Sequence, residues 1–212
     1  MSDATPSARH PRWTPLHLAQ CDPDAMTQFR RWFDEAAPVM AEREALALVT
    51  ATPDGRPSAR MVLLRHVDDH SFGWYTNYAS RKGEELAANP RAALLWYCEA
   101  LGRQVRVEGD VALAPPDASD AYFDQRPRGS RLGAYASHQS APLASREELE
   151  ARLAEVTATF EGREVPRPPY WGGYRLTPDR VEFWQHRESR LHDRILYERE
   201  PAGGWRRTRL AP

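Results

Sequence analysis

Apolar residues first recur at helical spacing in this chain at Met26, Phe29, Trp32 and Phe33, directly behind Asp22-Pro23. Asp22 supplies a capping carboxylate and Pro23 the fixed φ of a first turn, so a helix is predicted to about Ala37. From Glu44 the pattern changes. Ala45 to Thr50 reads as a buried strand, Pro53-Asp54-Gly55 as a turn, and Ser58 to Val67 as the returning strand of a hairpin. Ser71 to Tyr78 forms a third strand, followed by a short helix capped by Ser80 and stopped at Asn89-Pro90. Arg91–Cys98 and Arg103–Leu113 pair through Leu101-Gly102. In the second of them Val105, Val107 and Gly109 take one face, and Gln104, Arg106 and Glu108 the other.

The middle of the chain returns to helix. Asp117 to Arg126 is one segment ended by Pro127, and Ser130 opens another. Ser145-Arg146-Glu147-Glu148 is a capping box heading a helix with Leu149, Leu153, Val156 and Phe160 on its buried stripe. An extended connector, Val165–Pro169, leads to strands at Gly173–Thr177, Val181–Gln185 and about Leu191–Arg199. Gly203-Gly204 then turns into Trp205–Leu210. Seven or more strands with helices inserted midway, and no βαβ alternation, predict a mainly β fold with inserted helices (α+β): one β-barrel domain over 21–212. Residues 1–20, rich in Pro, Arg, His and Ser, are expected to form a flexible arm.

Composition narrows the possible classes. Over 212 residues the hydrophobic fraction is 41%, enough for a substantial core. The formal net charge of −1 argues against a general polyanion binder, so no nucleic-acid partner is expected. Of the 29 Lys and Arg residues only Lys82 is a lysine, and arginine is the better planar clamp for phosphate. Cys21 and Cys98 form no CxxC, which fits a reducing compartment. There is no signal-peptide h-region, and no apolar run approaches the ~20 residues of a membrane span. A cytoplasmic protein is expected.

Nucleophile and metal signatures such as GxSxG, HExxH and Walker A are absent. What remains is a set of polar groups at strand ends and helix starts. Arg60 and Arg65 flank Met61-Val62-Leu63-Leu64, and such arginines either pair with a carboxylate or meet an anion. Tyr75-Thr76 ends a strand just before Ser80-Arg81-Lys82-Gly83, where a helix start and two cations could cradle a phosphate. Tyr122 and Arg126, at i and i+4, converge with Ser130 on a second anion site, or form a surface contact. If Arg190 to Arg194 is extended, Arg190, His192 and Arg194 share one face while Leu191 points to the core, with Trp184 as an aromatic wall. Two anion sites without a nucleophile suit a phosphorylated cofactor beside a phosphorylated substrate, and a flavin would carry such a reaction.

The stretches RMVLLR, YTNYASRKGEEL, NPRAALLWY, GRQVRVEG, YFDQRPRGSRLGAYASHQS, WGGYR, EFWQHRESRLHDR and RLAP make the chain resemble the pyridoxine/pyridoxamine 5′-phosphate oxidases from about Asp22 to Pro212. The resemblance implies an FMN-binding split-barrel homodimer, with FMN held by both chains. It implies oxidation of pyridoxamine or pyridoxine 5′-phosphate to pyridoxal 5′-phosphate, with O2 reduced to H2O2. It places FMN contacts at Arg60, Met61, Val62, Leu63, Leu64, Arg65, Tyr75, Thr76, Arg81, Lys82, Gln104, Gln139, Ser140, Trp184 and Arg194. Substrate contacts fall at Arg65, Tyr122, Arg126, Ser130, Arg190, Leu191 and His192, with Arg190 and His192 catalytic and no metal. Two departures stand out. Arg65 occupies a position where members commonly have lysine, and Arg9–Thr14 does not match the Arg-x-x-Tyr-like lid. A phenazine-pathway oxidase of the same barrel would keep the FMN residues and lose the phosphate clamp. The alternative of a different class is a non-catalytic binder of FMN, haem or pyridoxal phosphate, or an arginine-using RNA-binding barrel, and the neutral net charge weighs against RNA.

Overall fold

The computed structural model describes residues 14–212. Most of the expected arm, including Arg9 to Trp13, lies outside the described residues. Leu16 is buried; its N–H donates to Asp193 and its carbonyl accepts from Arg209.

Nine strands form one antiparallel sheet: β1 Ala45–Ala51, β2 Pro57–Leu63, β3 His66–Val67, β4 Phe72–Asn77, β5 Arg91–Cys98, β6 Arg103–Leu113, β7 Trp171–Gln185, β8 Asp193–Arg199 and β9 Trp205–Leu210. The strand order is β2-β1-β5-β6-β7-β4-β3, with β8 on the far part of β7 and β9 outside it. Strands β2 and β3 end this path, yet only Leu64 and Arg65 separate them in sequence. The sheet must therefore curl until its two ends meet, closing a barrel with a seam between β2 and β4.

Helix α1, Ala25–Glu35, fills the barrel with Met26, Phe29 and Trp32. Phe29 meets Phe72 edge-on at 4.9 Å, and Trp32 meets Phe183 at 5.2 Å. Helix α2, Arg81–Ala88, follows β4. Helices α3 Pro116–Asp124, α4 Arg128–Ala136 and α5 Arg146–Thr159 lie between β6 and β7. Both cysteines are free and buried. Among the described residues no helix is long and apolar enough to cross a membrane.

Several expectations need correction. The first helix is capped by Asp24, which accepts from Thr27 N–H, while Asp22 accepts from Asp24 N–H one turn earlier. The return strand breaks at Leu64, which turns into the core. Ser130 does not open α4; Pro127 stands at its N-cap. The two strands expected around Pro178 are one, because a bulge opposite Glu108 and Gly109 accommodates the residue that cannot donate. Gly109 is required there, since a Cβ would lie 2.1 Å from Thr177 O. The Ser145 cap forms, yet the α5 stripe is not buried: Leu153 is exposed, and Leu149, Val156 and Phe160 are half-buried beside α4.

The largest correction concerns residues 188–191. Glu188–Arg190 is a 3-10 turn with φ of 54° at Ser189 and 62° at Arg190, so the strand begins only at Asp193. Leu191 is thereby turned outward and is 68% exposed. Leu191→Ala should accordingly change unfolding free energy by no more than about 0.5 kcal/mol. Phe183→Ala, which empties a site touching Trp32 and Tyr197, should cost about 3–5 kcal/mol in urea titration.

Candidate functional site

The seam between β2 and β4 opens into a hollow of about 280 Å³ lined by Met61, Val62, Leu63, Arg65, Tyr75, Thr76, Lys82, Tyr122, Arg126, Gln139 and Trp171. Its floor is polar. The Lys82 ammonium, 9% exposed, donates to Thr76 Oγ1 at 3.1 Å, Ser80 Oγ at 3.1 Å and Gln139 Oε1 at 2.7 Å. These acceptors are neutral. Burial, and then the Arg60 charge, push its pKa down to about 8. A buried ammonium without a carboxylate, in the first turn of a helix, is chemically suited to receive an anion.

Arg60 and Arg81 are placed differently. Both pair with Glu85, at 3.4 Å and 2.9 Å, and Glu85 also accepts from Thr50 and Ser58. Burial opposes ionisation of Glu85, but the bonds from Ser58, Thr50 and Arg81 outweigh it and bring its pKa down to about 2. The arginine–carboxylate alternative left open for Arg60 is thus the one realised, and Arg81 does not line the hollow.

A second hollow of about 280 Å³ adjoins the first, lined by Asn77, Arg126, Ser130, Gly133, Ala134, Ser137, Gln139 and Trp171. Arg126, Gln139 and Trp171 are common to both. Arg126 Nη1 is buried with no hydrogen-bond partner, and desolvation lowers the guanidinium pKa. Its carbon lies 4.6 Å from the Trp171 ring centroid. Tyr75 and Tyr122 stack at 3.9 Å and 6°, with Trp171 nearly parallel to both. Arg126 thus stands between Tyr122 and Arg65, which line the first hollow, and Ser130, which lines the second. Ser140, at φ 73° beside Gln139, lies on the exposed loop after α4.

The remaining predicted residues lie elsewhere. Gln104, Trp184 and Arg194 form a row across β6, β7 and β8 in direct register. His192 packs against Trp184 at 4.5 Å and His186 at 5.2 Å. The Arg187 N–H donates to His192 Nδ1, so the neutral ring carries its proton on Nε2. Burial, followed by His186 and Arg190, lowers its pKa. Arg194 pairs with Glu182 through two bonds of 2.8 and 3.0 Å, and Arg106 reaches the same carboxylate. Neither hollow includes any of this second cluster. Sequence reasoning missed Glu85, Glu182, His186 and Trp171. The i,i+4 spacing of Arg81 and Glu85 could have found the first.

The fold and the cation-lined seam define a split-barrel protein with a cationic cleft. Comparison with known proteins then narrows the class. The family described as pyridoxamine 5′-phosphate oxidase matches residues 33–160, and the pyridoxine 5′-phosphate oxidase C-terminal dimerisation region matches 171–212. A Rubrobacter xylanophilus protein named pyridoxine/pyridoxamine 5′-phosphate oxidase is 62% identical, over 90% of this chain and 88% of its own. A Ralstonia nicotianae protein named pyridoxine/pyridoxamine 5′-phosphate oxidase 1 is 57% identical over 93% of each. Among solved structures, PhzG from Burkholderia lata, in complex with tetrahydrophenazine-1-carboxylic acid, superposes with a TM-score of 0.87. It is 35% identical and covers 95% of this chain and all of that one. A related FMN-binding protein of Nostoc punctiforme shares the fold at a TM-score of 0.71 and 20% identity, covering 89% of this chain and 97% of its own. The chain belongs to the pyridoxamine 5′-phosphate oxidase family.

The Lys82 site makes a pH-dependent prediction. Below about pH 8 its ammonium is charged and attracts a phosphate monoester that is already dianionic. Above that pH the charge must be regained on binding, so affinity for a phosphate monoester should fall progressively from pH 8 upward. Equilibrium dialysis at pH 7 and 9 measures this, and Lys82→Met should flatten the dependence.

Proposed function

We propose that this chain is an FMN-dependent oxidase that converts pyridoxamine or pyridoxine 5′-phosphate to pyridoxal 5′-phosphate. The observation that carries the reading is the pair of adjoining hollows, each with a buried cation, Lys82 or Arg126, held by neutral groups. Two adjoining hollows that share Arg126, Gln139 and Trp171 suit two phosphorylated aromatic molecules lying side by side. Bound FMN would supply the hydride acceptor, with O2 as the final oxidant, reduced to H2O2.

Lys82, Thr76, Gln139 and Ser140 would hold the FMN phosphate, with the Glu85-held Arg60 and Arg81 at its edge. The β2 residues Met61 to Arg65 would line the ring, Leu64 through its backbone alone because its side chain is in the core. Arg65, Tyr122, Arg126 and Ser130 would grip the substrate phosphate, fixing distance and angle at the reacting carbon. Arg190 and His192 would steer the polar groups of the pyridine ring. At neutral pH His192 acts there as a neutral Nε2–H donor, because its pKa is lowered. Leu191, exposed beside them, would provide an apolar contact.

A homodimer follows from where the second cluster lies. Gln104, Trp184 and Arg194 share the outer sheet face with Met61, Leu63, Leu95 and Tyr97, all exposed and in register through Ala45 and Ala47. Met61 alone is 63% exposed. Covering this face with a second copy would bring its outer cluster to the seam of the first. Among the described residues no group of three His, Cys, Asp or Glu side chains is placed to hold a metal ion. A cytoplasmic location accords with this reading.

The likeness to PhzG favours one other reading, oxidation of a phenazine precursor. Such a substrate lacks the phosphate that Arg126 and Ser130 would grip. Anaerobic mixing with pyridoxamine 5′-phosphate decides between them: the flavin absorbance should bleach within turnover time. No bleaching would sink the proposal. Arg126→Ala should raise KM by about 10–100-fold with FMN still bound, as expected for loss of a charge-assisted phosphate contact. A colourless variant would move Arg126 to the cofactor site. Arg190→Met should slow flavin reduction at saturating substrate in stopped-flow. An unchanged rate would confine Arg190 to uniform binding.

A further inference from the structure

Arg126 is a cation in an unusual position. Its Nη1 is buried without a hydrogen-bond partner, whereas the neighbouring Arg60 and Arg81 are held by a carboxylate. A guanidinium in a half-buried cleft needs something to keep it in place before its ligand arrives. What lies against it is the face of Trp171, at 4.6 Å, with Phe123 farther off at 5.4 Å. An indole face attracts a cation through its quadrupole, yet it accepts none of the five in-plane N–H groups in a conventional hydrogen bond and cancels none of the charge. A carboxylate in the same place would do both.

Trp171 is itself fixed from the backbone side. Its carbonyl accepts from Arg167 Nη1 at 2.7 Å, and Arg167 Nε donates to Asp120 on α3 at 2.6 Å. Its N–H donates to Pro168 O, and Phe123 packs edge-on to its ring at 5.0 Å. Strand β7 and the helix that carries Tyr122 are thus tied together at Trp171, and again where Gly173 N–H donates to Ser119 Oγ. Its ring is nearly coplanar in tilt with both Tyr75 and Tyr122 and forms a wall of both hollows.

We propose that Trp171 is a positioning residue for the substrate phosphate, holding the Arg126 guanidinium in its binding pose without neutralising it. This rests on the proposed function for the identity of the substrate, not for the existence of the anion site.

The test uses Trp171→Leu and Trp171→Phe in the protein as isolated, with Arg126→Ala as control. Inorganic phosphate is titrated by calorimetry, and heat lost in Arg126→Ala identifies this site. Steady-state constants for pyridoxamine 5′-phosphate are measured in parallel. Trp171→Leu is expected to weaken phosphate binding and raise KM by about tenfold, with kcat held within about twofold and the FMN spectrum unchanged. Trp171→Phe, which keeps a weaker ring face, should fall between. A folded Trp171→Leu with wild-type phosphate affinity overturns the proposal. So does a loss confined to kcat. Should Trp171→Leu fail to fold, a Trp171→Phe protein with wild-type phosphate affinity and KM overturns it equally. Failure of the wild type to oxidise pyridoxamine 5′-phosphate would instead refute the functional reading, while the phosphate titration would still decide the role of Trp171.

Discussion

Two residues, Leu64 and Arg65, join strands at opposite ends of the sheet path, and that short covalent link dictates the rest of the architecture. Leu64 goes into the core and its N–H donates to Glu44 O, while Arg65 N–H donates to Gly73 O across the seam. The link therefore bonds to both sides of the gap it closes. A closed sheet removes edges, but here closure is incomplete, because β2 and β4 do not pair as neighbours in the strand order. The residual gap is where the apolar and cationic lining accumulates. The site is a consequence of how the barrel fails to finish: β2 and β4 flank the gap, and Lys82, Tyr122, Arg126, Gln139 and Trp171 complete its lining.

Charge placement at the seam and in the outer cluster separates two kinds of cation. Glu85 holds Arg60 and Arg81, and Glu182 holds Arg106 and Arg194. Each buried carboxylate serves two arginines; the Glu85 group keeps about one net positive charge, whereas Glu108, also paired with Arg106, brings the Glu182 group close to neutral. Lys82 and Arg126 are instead held by hydroxyls, an amide or a ring face. In a low dielectric their charge is poorly screened and their desolvation uncompensated. A phosphate entering near either one gains attraction without first displacing a protein anion. The paired arginines would shape the field around the sites, and the two without carboxylates would supply most of the pull.

Much of this was legible in the sequence, and what was not has physical causes. The bounds of β5 and β6 were readable because alternation and a Gly turn agree. Helix starts were misjudged by two or three residues where several capping residues compete, as at Asp22 and Asp24, or where Pro127 took the cap from Ser130. The chain around Arg190 was misread as strand because positive φ at two non-glycine residues leaves no compositional mark. Leu191 thereby changes from an expected core residue to an exposed neighbour of Arg190 and His192. Arg126 and Ser130 could be grouped by helical spacing and chain proximity. Trp171 could not, being 45 residues after Arg126 in a motif whose aromatic residue reads as ordinary core. Glu182 was hidden likewise, because its partners sit on two other strands.

The same long strand that carries Trp171 ends at Trp184 and Gln185. Along a strand, the separation of these two tryptophans is roughly 40 Å, less whatever the barrel's curvature takes up. One lies at the seam and the other in the outer cluster, on a face where aliphatic and aromatic side chains are left in water. A rigid fifteen-residue strand, paired on both sides over most of its length, cannot fold back to bring its ends together. If both clusters serve one reaction, they must come from different copies. The exposed patch of Met61, Leu63, Leu95 and Tyr97 lies on the same face as the outer cluster. Burial of that patch would then drive association and complete the site in a single step.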